Sequence, residues 1–292
     1  MRTLLLMTVG VLAVSLSGPL MASMVVPPLA IAFWRNAFAT VALAPATARR
    51  RDELAGLRPR TLWLVTVSGI ALAVHFATWV TSLTLTSVAS ATAIVCLQIV
   101  WVVAWQLLRG ERFGVWVAVG LLLSFTGVLV VSGVDLSLST EALVGDVLAL
   151  VGGIAAAAYM VIGSAARQTV STTTYTFFCY GTCAVVLLVA CLLSGQDLGG
   201  YPVAQWGLLL LVTVTAQLMG HSVFNHLLAT TSPMLVSLAL LLEVPGAALL
   251  AAAILGQVPP LAAVAGLLVI VIGMTLVVVN NRAPAFEEAP VD

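Results

Sequence analysis

Gly110, Gly120 and Gly127 recur as Gly256, Gly266 and Gly273, and His75 recurs as His221, all at one offset of 146 in a chain of 292 residues. The kept glycine spacing, ten residues then seven, makes the chain two copies of one unit. Only 12 positions are identical when 60–132 is laid over 206–278. Apolar sequences match by chance, so the argument rests on the glycines. A duplicated unit cannot be an accidental run of apolar segments: its two copies must pack around a shared centre.

The solvent of that fold follows from composition. With 62% hydrophobic and 8% charged residues and a mean hydropathy of +1.17, the chain falls far short of the roughly 25% charged residues of soluble domains. It belongs in a bilayer. Eleven basic residues, all arginine, balance eleven acidic ones, so net charge argues against nucleic acid as a partner. The lysine-free, alanine- and valine-rich usage suggests a bacterium with GC-rich DNA. Cys96, Cys179, Cys183 and Cys191 fall inside apolar segments. They imply no disulfide framework, and Cys179 with Cys183 lacks the further ligands of a zinc site.

A membrane-crossing helix takes about 20 mostly apolar residues. Ten fit, near 4–22, 28–46, 61–83, 87–108, 113–132, 142–163, 172–194, 203–227, 232–254 and 260–280, five to each half. Arginine is retained on the cytoplasmic side of short connections. With the N-terminus inside, ten of the eleven arginines land there: Arg2, Arg49, Arg50, Arg51, Arg58, Arg60, Arg109, Arg112, Arg167 and Arg282. The outer connections carry only acids, among them Asp135, Glu141, Asp146 and Asp197. Five spans per unit make the second copy start from the opposite face, so the repeats are expected to be inverted. The opening MRTLLLMTVGVLAVSLSGPLMAS also has the order of a cleaved leader. Its removal would leave the first repeat without a counterpart to 142–163, and it is taken as a span. The stretch from Thr47 to Arg60, with Asp52 and Glu53, reads as a solvated loop.

Ionisable groups inside spans are costly and therefore candidates for function. Four occur: Arg35, His75, His221 and Glu243. His75, Thr78, Trp79 and Ser82 share one helical face, and Gln217, His221 and Asn225 share another with Phe224 beside it. Polar stripes at repeat-related positions suit a hydrated cavity between the halves; hydrogen bonding between helices is the alternative. Pro245, two residues after Glu243, should kink its span and free the carbonyl of Leu241. Glu243 then faces a solute, takes up a proton, or stays neutral against a neighbouring helix. Arg35 cannot shed its charge; it either pairs with Glu243 or snorkels to an interface. Gln98 and Trp101 are deep candidates on the fourth span, while Trp105 reads as an interfacial belt residue. The repeated glycines, with the GGIAAAA run at 152–158, read as close helix packing. No HExxH, GxSxG or phosphate-binding loop occurs, so no catalytic residue, metal or cofactor is assigned.

TSVASATAIVCLQIVWVVAWQLLRGER, matched by TTSPMLVSLALLLEVPGAALLAAAILGQ, resembles the EamA-type branch of the drug/metabolite transporter superfamily. HFATWVTSLTLTSVAS at 75–90, the Gly110-Glu111-Arg112 turn and Leu242-Glu243-Val244-Pro245 carry the resemblance in order. It implies a multi-pass transporter of small metabolites with a central cavity lined by spans from both halves. Two departures stand out. Ile99 replaces the proline often found in the first repeat, which predicts unequal bending of the two halves, and Gln257 and Val258 replace the acid and base of the second repeat's turn. The first span lacks the glutamate of the small multidrug relatives, which argues against a proton-coupled exporter of cationic drugs.

The sequence reading is therefore an all-α polytopic membrane protein of ten transmembrane helices in two inverted five-helix repeats, 1–139 and 140–282, with a cytoplasmic tail at 283–292. Its expected role is export of small organic metabolites such as amino acids by alternating access, in a bacterial inner membrane with both termini cytoplasmic. Candidate solute-binding residues are Arg35, His75, Trp79, Gln98, Trp101, Gln217, His221, Asn225 and Glu243. Glu243, His75 and His221 are candidates for proton coupling. Expected partners are a small-molecule solute and the lipid bilayer, with a homodimer compatible. A membrane sensor or assembly component, or an intramembrane enzyme, is the competing reading.

Overall fold

Prolines and serines in the connections set where the helices begin. A computed structural model describes residues 2–133 and 139–280, and among these every regular element is helical. Pro28, Pro59 and Pro233 open helices, where a missing N–H removes no helical bond. Ser87, Ser139, Ser171 and Ser232 each accept the backbone N–H three residues on, at 3.1–3.3 Å. Gly110 and Gly256 follow helix ends with φ of 86° and 68°, a left-handed conformation that disfavours side chains. A Cβ on either would meet nothing within 4 Å. These two repeated glycines therefore serve turns and not the helix packing expected of Gly110.

The long helices are α1 (Arg2–Ala22), α2 (Pro28–Ala48), α3 (Pro59–Ser82), α4 (Val88–Leu108), α5 (Val115–Gly133), α6 (Thr140–Arg167), α7 (Thr172–Ser194), α8 (Val203–Leu227), α9 (Pro233–Leu255) and α10 (Leu261–Asn280). Eight are long and apolar enough to cross a bilayer, and α5 and α10 are the shorter apolar pair. Asp135, Arg282 and the tail at 283–292 lie outside the described residues. The loop between α2 and α3 contains a short helix, Arg51–Ala55.

Four long helices depart from a regular α-helix. Turns at Leu16, at Cys96 and Leu97, and at Leu241 and Leu242 interrupt α1, α4 and α9. Pro19, which has no N–H for the carbonyl of Ser15, accounts for the first. In α8, Thr213–His221 is wound as a π-helix.

The other repeated glycines do pack. A Cβ on Gly120 would lie 2.5 Å from the carbonyl oxygen of Gly273, and one on Gly127 would lie 2.6 Å from that of Gly266. The first glycine of α5 meets the second of α10 and the second meets the first, so the two helices run antiparallel, backbone against backbone. The remaining contacts follow the same offset: α2 packs on α7 and α4 on α9, each helix on its repeat mate, while α3 against α6 is matched by α8 against α1.

Candidate functional site

The turns in α4 and α9 lie one repeat apart and meet. The thiol of Cys96 is 3.4 Å from the carbonyl oxygen of Leu240. Each turn is carried by short-range bonds: Leu97 N–H to Ile94 O at 3.0 Å and Val100 N–H to Leu97 O at 2.9 Å in α4, and Leu242 N–H to Ala239 O at 3.1 Å and Val244 N–H to Leu241 O at 3.2 Å in α9. Two expectations change here. The carbonyl of Leu241 is not left free by Pro245, because Val244 three residues on donates to it. The interruption of α4 without a proline also removes the predicted inequality between the halves.

Beside these turns is a cavity of about 30 Å³ lined by Ser17 of α1, His75 and Trp79 of α3, Cys96 and Gln98 of α4, Tyr159 and Met160 of α6, His221 of α8 and Glu243 of α9. The repeat-related histidines face each other with ring centroids 6.3 Å apart. His75 stacks on Trp79 at 5.5 Å and 16°. Its Nδ1 is 3.0 Å from the carbonyl oxygen of Gly152; a carbonyl only accepts, so Nδ1 carries the hydrogen and Nε2 is left as an acceptor in the neutral ring. The indole Nε1 of Trp79 is buried and has no hydrogen-bond partner among the described residues.

Arg35 follows neither course expected of it. It is fully buried, and among the described residues the ion pair within 4.0 Å is Arg50 with Glu53, not Arg35 with Glu243. Its Nε donates to Gln217 Oε1 at 2.8 Å, its Nη1 to Ser17 Oγ at 3.1 Å, and its guanidinium carbon lies 4.2 Å over the Phe76 ring. Phe76 packs in turn on His75 and His221 at 4.8 and 5.3 Å. One aromatic ring thus stands between the guanidinium and the two histidines.

Of the sequence candidates, His75, Trp79, Gln98, His221 and Glu243 line the cavity. Gln217 lies behind it, fully buried, holding Arg35 through Oε1 and donating Nε2 to Asn36 Oδ1 at 3.1 Å. Asn225 is also behind: Tyr159 OH donates to its Oδ1 at 2.6 Å, and its Nδ2 donates to Tyr180 OH at 3.2 Å. Trp101 is 40% exposed on the outside of the bundle and does not line the cavity. Ser17, Cys96, Tyr159 and Met160 line it without having been singled out. Pro19, near the end of the first span, was a sequence signal for a break beside Ser17; ordinary residues such as Tyr159 and Met160 gave none.

Asn225 also ties the cavity wall to one end of the bundle. Its backbone carbonyl accepts from Arg167 Nε at 2.9 Å, while Arg167 Nη1 donates to the carbonyl of Val170. Ser164 Oγ reaches Leu228 O at 3.4 Å and Gln168 Nε2 reaches Ala229 O at 3.3 Å. The end of α6 is thereby fastened to the end of α8. At the offset of 146 the first repeat has Met21 and Trp79 in place of Arg167 and Asn225, so the arginine clamp is not repeated at the related positions. Nearby, Glu53 caps α7: it accepts from Ser171 N–H at 2.6 Å, Ser171 Oγ at 2.8 Å and Thr174 Oγ1 at 2.9 Å. Partial burial pushes its carboxyl up, but these bonds and Arg50 outweigh that and hold it below the ordinary value. The loop read as merely solvated therefore anchors the start of α7.

A family model described as the EamA-like transporter family matches residues 1–133 and 143–279. A solved crystal structure of a protein 18% identical superposes with a TM-score of 0.73, over 97% of this chain and 99% of its own. At that identity the likeness concerns the fold alone. No curated protein matches.

Proposed function

The chain belongs to the EamA-like transporter family, and we propose that it is a secondary transporter of small organic solutes, working by alternating access at the cavity of His75, Trp79, Gln98, His221 and Glu243. One observation carries this reading: the cavity lies where repeat-related parts meet, with His75 6.3 Å from His221 and the turns of α4 and α9 in contact. A site between matched halves stays in place while the halves rock about it. The reciprocal glycine contacts of α5 and α10 support an inverted relation, since a two-fold axis perpendicular to two antiparallel helices exchanges those contacts. On this reading ten helices cross the membrane in two units, 1–139 and 140–282, with the arginine-bearing connections and both termini in the cytoplasm of a bacterial cell.

At about 30 Å³ the cavity admits little more than a water molecule, whereas ligand pockets run to about 300–1,000 Å³. On this reading the cavity must widen to take a metabolite. Opening at the Arg167 end requires α6 and α8 to part, breaking the bond from Arg167 to Asn225; opening at the opposite end involves neutral contacts such as Val25 N–H to Gln205 Oε1 and Val88 N–H to Gln257 Oε1. Amino acids and related metabolites are the proposed solutes and export the proposed direction, with Glu243, His75 and His221 as the groups that could carry a coupled proton. Arg35 and Gln217 position Ser17 and α8 behind the wall.

The test is flux of labelled solutes into proteoliposomes. Saturable transport that falls at least tenfold in Glu243→Gln or His221→Ala supports the reading. Absence of flux and binding across a panel of amino acids, amines, nucleosides and sugars would reject it.

A further inference from the structure

We propose that the occupant of the central cavity presents a protonated amine to Glu243, and that the site selects amines over carboxylates of the same shape. This rests on the transporter reading of the cavity and specifies its solute.

The argument is an inventory of what the wall still has to offer. Several polar groups are already committed: Tyr159 OH donates to Asn225, Cys96 donates to Leu240 O, and Ser17 Oγ accepts from Arg35. Glu243 is 7% exposed and lines the cavity. Among the described residues, no hydrogen bond or cation within 4.0 Å satisfies its carboxyl group. His75 Nε2 is a second open acceptor, because Nδ1 holds Gly152. The open donors of the wall are all neutral: Trp79 Nε1, the amide of Gln98 and one ring nitrogen of His221.

Among the described residues, no fixed positive charge lines the cavity. Arg35 could have supplied one, but it is turned toward Gln217, Ser17 and Met21 and covered by Phe76. A buried carboxyl without a partner is a costly group. An ammonium supplies both the missing charge and up to three N–H donors. Its flanks would rest on the His75 and Trp79 rings, stacked at 16°, a surface that attracts cations. A carboxylate in the same place would meet Glu243 as a like charge, with only the neutral donors of Trp79, Gln98 and His221 to hold it.

The test uses the full-length protein in detergent, with thermal unfolding as the readout, since a ligand that binds the folded state raises its apparent stability. The probes are phenethylamine, phenethyl alcohol and hydrocinnamate, alike in size and different in head group. The amine should raise the transition temperature dose-dependently at concentrations at least tenfold below those needed for the alcohol or the acid. Glu243→Gln should lose that preference and Glu243→Asp should keep part of it; the probe series on the unaltered protein decides the matter if the glutamine variant does not fold. Equal binding of acid or alcohol, no binding of the amine, or amine binding unchanged in a folded Glu243→Gln protein overturns the proposal. Flux of another solute class in proteoliposomes, with no competition by amines, removes this proposal and leaves the transporter reading standing. Glu243-dependent amine binding without flux of any solute does the reverse.

Discussion

Replacing Arg167 with alanine should release one end of the transporter and leave the other as it is. The perturbation removes a single bond between α6 and α8, Arg167 Nε to the carbonyl of Asn225 at 2.9 Å. The other partner of Arg167, Val170, is in its own connection and does not resist opening. A hydrogen bond with one charged partner is worth about 1.5–3 kcal/mol. The lower figure sets the least effect expected, since Arg167 and Asn225 are both buried. About 1.4 kcal/mol is a factor of ten, so the population open at this end should rise at least about tenfold. Cys96 reports it. All four cysteines are buried, but Cys96 lines the cavity and Cys179, Cys183 and Cys191, in α7, do not. With those three replaced by alanine, modification of Cys96 by a membrane-impermeant maleimide should become at least about tenfold faster from the Arg167 side, with no change from the opposite side. An unchanged rate, or an equal rise from both sides, would refute the latch.

Gly273→Ala sets a Cβ 2.5 Å from Gly120 O and 2.6 Å from Ser124 N, overpacking that costs about 1–3 kcal/mol and should lower the transition temperature in detergent. Gly110→Ala has open space around it and should cost only the left-handed backbone penalty of about 1–2 kcal/mol, with solute selectivity unchanged in the flux assay. Glu53→Gln should destabilise the protein at neutral pH. Glu53 titrates below its ordinary 4.5 in the folded protein, so its contribution is complete above that value and is lost as pH falls through the lowered one; the gap in transition temperature between Glu53→Gln and the unaltered protein should close toward acid. Pro245→Ala should leave Cys96 labelling unchanged, because α4 makes the same turn with Ile99 at that position; a faster rate would show that the proline holds the site.

The sequence pattern carried most of the architecture because membrane packing leaves plain marks. Gly120, Gly127, Gly266 and Gly273 recur at one spacing because two backbones touch there, and His75 and His221 recur because they face each other. Helix periodicity misled twice. Trp101 was placed inward by its spacing from Gln98, but three residues fall about 60° short of a full turn, and within the one helix Gln98–Leu108 that step carries Trp101 out of the wall. The π-helical stretch Thr213–His221 shifts the face of α8, which puts Gln217 against Arg35 while His221 lines the cavity. Partners are the least legible feature. Arg35 and Glu243 were the obvious ionic pair by charge, yet the neutral side chains of Gln217 and Ser17 and the face of Phe76 hold the arginine. Glu53 had no legible partner because its acceptor role depends on Ser171, more than a hundred residues away.

Alternating access at one central site is tested most directly by counterflow. Proteoliposomes loaded with unlabelled solute, diluted into a trace of the labelled form, should accumulate label transiently above its equilibrium level, and covalent modification of Cys96 should abolish that overshoot. A monotonic approach to equilibrium, for every solute that enters, would contradict a carrier whose single cavity faces one side at a time.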